Sequence, residues 1–98
     1  MKRLLLLPLL VLAATATPAS AAVRDCRLVV SETQSITSVR DMSCKAAKRD
    51  LKGYSGFIKR KFRTPGGFRC KRVAGIAISG EWRCAHRDGR AYRFTFGD

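Results

Sequence analysis

The chain has 98 residues, with 20 Lys and Arg against 7 Asp and Glu, one His and four Cys. That length supports one small domain, and a single histidine among scattered acids leaves little material for general acid–base catalysis. A net charge of +13 argues about partners rather than fold: it attracts polyanions such as wall polymers, lipopolysaccharide, anionic lipid head groups or nucleic acid, unless it is composition alone.

Residues 1–22 have the three parts of a secretory signal: Lys2-Arg3, the apolar run from Leu4 to Ala14, and small residues ending in Ala19-Ser20-Ala21. The run is shorter than the ~20 residues of a spanning helix and is interrupted by Pro8, so no transmembrane segment is expected in the mature chain. Cleavage after Ala21 or Ala22 leaves residues 23–98 as one small secreted domain, and loss of the two leader cations lowers the charge from +13 to +11. The expected location is secreted or periplasmic.

The four Cys then read as two disulfides, since a core this small is marginal without covalent staples. No C-x-x-C or H-x-x-x-H spacing points to a metal, and Gly66-Gly67 leads into a strand rather than a phosphate-binding helix, so no cofactor is expected.

From Val23 the text VRDCRLVVS alternates Cys26, Leu28 and Val30 with other residues and predicts a strand, and Ser31 to Ser38 reads as a loop. In SCKAAKRDLKGY, Cys44, Ala47, Leu51 and Tyr54 recur at helical spacing opposite Lys45, Lys48, Arg49 and Lys52. Ser43 is its N-cap, and Gly53 suits a left-handed C-terminal residue. Residues 55–66 carry a basic cluster interleaved with Phe57, Ile58 and Phe62. Either the aromatics are stacking platforms beside the cations, or they dock on the core and the cations are solvated.

Three strands follow, with Phe68 and Cys70, Trp82 and Cys84, and Tyr92, Phe94 and Phe96 each on one face. Asp88-Gly89 predicts a tight type I′ turn between the last two. If the longer turn is symmetric about Ala77, Cys70 lies opposite Cys84. Four cysteines allow three pairings. A bridge between opposed neighbours in one hairpin adds little, which favours Cys26 with Cys70 and Cys44 with Cys84. Trp82 is expected in the core.

Ser43-Cys44 with Ala47, then Gly67-Phe68-Arg69-Cys70, Trp82-Arg83-Cys84 and Arg90-Ala91-Tyr92-Arg93-Phe94, resemble a broad group of short exported proteins of high-GC bacteria, mostly without assigned function. The resemblance implies export and a strand, helix, meander order. It transfers no active-site residue.

The expected fold is thus α+β, a disulfide-stapled domain of order β-α-β-β-β with one helix on an antiparallel sheet. The expected function is an exported, non-enzymatic cationic module for an anionic polymer or membrane surface, taken as a monomer. Lys59, Arg60, Lys61, Arg63, Arg69, Lys71 and Arg72 are its candidate contacts. The alternatives are a secreted antibacterial or toxin-like effector and, third, a small cationic hydrolase such as a ribonuclease using His86.

Overall fold

A computed structural model describes residues 22–97. Nearly all of the expected leader lies outside these residues. The elements are β1 (Val23–Ser31), β2 (Gln34–Arg40), α1 (Cys44–Lys52), β3 (Lys61–Arg63), β4 (Arg69–Ile76), β5 (Ser79–Ala85) and β6 (Ala91–Phe96). All six strands form one antiparallel sheet of order β1-β2-β6-β5-β4-β3. The fold is therefore a helix on an antiparallel sheet, as expected, but with order β-β-α-β-β-β-β.

The additional long strand is β2, in the stretch expected to be a loop. A register shift between Ile36 and Ser38 breaks its alternation, so Ile36 and Val39, three apart, both face the core. A period-two pattern is therefore absent from its sequence.

Helix α1 starts as its sequence dictates: the Ser43 hydroxyl accepts the Ala46 N–H at 3.1 Å. It ends differently. Gly53 has φ −74°, ordinary right-handed backbone, and the Tyr54 N–H closes a tighter turn onto Leu51 O at 3.1 Å. Ala47 and Leu51 are buried against the β1–β2 half of the sheet. Residues 53–60 cross the β4–β5 half. There Tyr54 stacks on Phe62 at 4.3 Å and the Trp82 Nε1–H donates to Lys59 O at 2.7 Å. Trp82 is wholly buried, stacked on Phe94 at 5.7 Å between ring centres.

The disulfides are Cys26–Cys44 and Cys70–Cys84, which corrects the expected pairing. Strand order gives the reason. β1 and β4 are four strand spacings apart, about 19 Å, well beyond the ~7 Å limit on Cα atoms that a disulfide can join. Cys44 opens α1 above β1, so Cys26 is within reach, with Cα atoms 5.7 Å apart. Cys70 and Cys84 are direct cross-strand partners, although the turn is centred between Ala77 and Ile78 and not on Ala77; a register shift between Arg72 and Ala74 brings the two cysteines opposite. One bridge thus ties the helix to the sheet, and the other closes the central hairpin. Both belong to an oxidising environment.

The β5–β6 connection also departs from expectation. Gly89 alone has positive φ, at 104°, and its N–H donates to His86 O while the His86 N–H donates to Arg90 O. This is a three-residue loop with a bulge rather than a type I′ turn. Among the described residues, no helix is long and apolar enough to cross a membrane.

Candidate functional site

Side chains alternate across a strand, and directly paired residues share a face, so register determines what the sheet shows to solvent. On the inner face Trp82, Cys84, Tyr92 and Phe94 meet the helix and the 53–60 loop. On the outer face two rows run across the strands. One reads Lys61, Lys71, Arg83, Arg93, Ser38, Asp25, and the next reads Arg63, Arg69, Ala85, Ala91, Arg40, Val23.

Lys61, Lys71, Arg83 and Arg93 are thus successive cross-strand partners from β3 to β6, with Arg63 opposite Arg69 beside them. Two acids share this face, one of them, Glu81, on the central strand β5. Asp25 stands on the edge strand β1, and Glu81 holds Arg93 Nη1 at 3.2 Å. Like charges directly opposite on neighbouring strands destabilise a sheet. Here the sequence repeats that arrangement over four strands.

Of the seven candidate contacts, the structure brings Lys61, Arg63, Arg69 and Lys71 together; they border one open depression on the outer face. Arg72 departs from that set. It pairs with Trp82 on the inner face, its guanidinium carbon 5.8 Å from the indole centre. Lys59 and Arg60 precede β3 on the loop that crosses the inner face, and their carbonyls accept the Trp82 Nε1–H and the Arg72 N–H. That loop divides between its two readings. Ile58 and Phe62 pack against the core, while Phe57 is 86 % exposed.

Arg83, Arg93 and Arg40 were not among the sequence candidates. Arg83 and Arg93 stand on strands whose inward residues are core aromatics and a cysteine, Arg40 ends the strand missed from sequence, and only cross-strand register aligns them with Lys61 and Lys71. They border a depression of about 240 Å³ together with Val23, Ser38 and Ala91. The alternation of Arg83 and Arg93 with Trp82, Cys84, Tyr92 and Phe94 was the available signal, since an inward aromatic places its neighbour outward.

His86 sits at the end of the sheet, edge-on to Phe68 at 5.2 Å. Its Nδ1 lies 3.1 Å from the Asp88 backbone nitrogen and 3.0 Å from Asp88 Oδ1. The Arg90 N–H, followed by the Arg90 guanidinium, holds the Asp88 carboxyl below its ordinary range against a smaller opposing desolvation. The depression beside His86 is bordered by Arg63, Arg69 and Arg87.

A further exposed feature is the β4–β5 hairpin tip. Ile76 is 60 % and Ile78 74 % exposed, on either side of Ala77, where turns normally carry Gly, Asn or Asp.

Comparison of the chain with protein-family models, with curated proteins and with solved structures gave no match.

Proposed function

We propose that this is an exported, non-enzymatic module that binds an anionic polymer across the outer face of its sheet. The observation that carries this reading is the row Lys61, Lys71, Arg83, Arg93, in which, among the described residues, only Arg93 has a carboxylate partner, Glu81. Four strands spaced ~4.8 Å apart give it a length of about 14 Å, enough to meet several charges of an extended polymer. A bound polyanion relieves the cross-strand repulsion that the free sheet carries. The two disulfides accord with residence outside the cytoplasm, secreted or periplasmic after removal of residues 1–22.

Binding of this kind is governed by counterion release. A face engaging four phosphates of a duplex loses ~10²-fold in affinity between 50 and 200 mM salt, at a slope of about −0.9 per phosphate. Titration of the mature protein with heparin, teichoic acid and DNA across a salt series tests this. Absence of binding at 50 mM salt would leave the charge as composition alone.

A membrane-directed effector is the second reading, favoured by the exposed Ile76 and Ile78 at the hairpin tip. Dye release from anionic vesicles that is lost on Ile78→Ser would support it over a polymer-binding module.

A further inference from the structure

The depression beside Arg83 differs from the rest of the cationic face because it has a floor. Ala91 points outward yet is only 5 % exposed, and its direct partner Ala85 continues the low ground toward β5. Around Ala91 rise Arg83 from β5, Arg93 from β6 and Arg40 from β2, with the Ser38 side chain between the last two strands' cations. Glu81 holds Arg93 by one nitrogen, at 3.2 Å, which fixes its position and leaves its other donors available.

We propose that this depression seats one tetrahedral oxyanion ester with three free oxygens, a sulfate or phosphate monoester. The proposal rests on the polyanion reading above and names the group that reading leaves general. Three guanidinium groups come from three different strands, so each can take a separate oxygen of a tetrahedral group. A carboxylate offers two oxygens in one plane, and a phosphodiester only two free ones. The volume, about 240 Å³, is below the ~300–1,000 Å³ of pockets for drug-sized ligands. It therefore suits one ester group and the carbon that bears it, with Val23 and Ala91 as the apolar contact for that carbon.

The test is an NMR titration of the disulfide-bonded protein at constant ionic strength, following the Ala91 methyl and the Arg83 and Arg93 side-chain N–H signals. Glucose 6-sulfate and glucose 6-phosphate distinguish the two monoesters, and glucuronate and glycerophosphoglycerol represent the carboxylate and the diester. One or both monoesters should bind saturably and about tenfold more tightly than glucuronate or the diester, the equivalent of roughly one charge-assisted hydrogen bond. Ala91→Leu fills the floor without altering a charge. It should abolish the monoester preference. Should that variant fail to fold, Arg83→Lys keeps the charge, removes the fork and should lose the same preference. Monoesters binding no better than glucuronate, or a preference that survives these replacements, would overturn the seat. Normal heparin binding in that case would leave the polyanion reading standing, whereas failure of heparin to bind at low salt removes both.

Discussion

The two faces of this one sheet are built from adjacent residues on the same strands and obey opposite rules. On the inner face every large group is matched: Trp82 Nε1–H has Lys59 O, Tyr92 hydroxyl has Asp50 Oδ2 at 2.8 Å, and Thr64 hydroxyl has Asp50 Oδ1 at 3.1 Å. On the outer face Lys61, Lys71, Arg83 and Arg93 meet their own kind across each strand pair. An unmatched polar group is costly in the interior and tolerable in water, so what the inner face must satisfy for stability the outer face can leave open for a partner. Replacements on the inner face should therefore lower stability, and replacements on the outer face should raise it slightly while lowering binding.

The largest expected effect is at Trp82. Truncation to Ala should cost ~3–5 kcal/mol, because it opens a cavity beneath Phe94 and leaves Lys59 O without its donor. Urea titration measures it, and a parent-like midpoint would show the indole to be dispensable to the core. Next are the staples. Replacing Cys26 and Cys44 together by Ser should cost ~2–4 kcal/mol and free the start of α1 from β1. Peptide mapping of the parent should recover Cys26 joined to Cys44 and Cys70 joined to Cys84, and either crossed pairing would contradict the strand order.

A smaller loss is expected at Asp50. Its replacement by Ala leaves the buried Tyr92 hydroxyl unpaired, at a cost of ~1–3 kcal/mol. The same contact sets a pH dependence. Burial, with Asp50 alongside, raises the Tyr92 phenol above its ordinary 10.0. A raised folded value means that this contribution is complete below about pH 10 and is lost as pH rises beyond it, when the unfolded phenol ionises. Absorbance at 295 nm should show Tyr92 ionising only together with unfolding.

How much of this the sequence discloses differs by face. The helix, its Ser43 cap, the three long meander strands and the buried Trp82 follow from local periodicity and apolar content, because core residues are selected by burial along one strand or helix. Strand β2 does not, since its bulge places Ile36 and Val39 on one face without alternation. The disulfide pairing depends on strand order, which no local pattern encodes. The cationic face is half legible. Lys61, Arg63, Arg69 and Lys71 lie close in sequence, whereas Arg83, Arg93 and Arg40 join them only through pairing across the sheet, and Arg72 leaves because alternation turns it toward Trp82.

The smallest expected change in stability is also the most direct test of the comparison. Lys61, Lys71, Arg83 and Arg93 are replaced together by Gln in one variant, and Lys45, Lys48, Arg49 and Lys52 on α1 in another, so that both lose four charges. Heparin affinity at 50 mM salt is then measured beside thermal stability. The outer-face variant should lose most of the salt-dependent affinity and melt at or slightly above the parent, since each relieved like-charge pair is worth roughly 0.2–1 kcal/mol. The helix variant should keep nearly all of the affinity. Equal loss in the two variants would mean that net charge alone governs binding, and the outer face would have no distinct role.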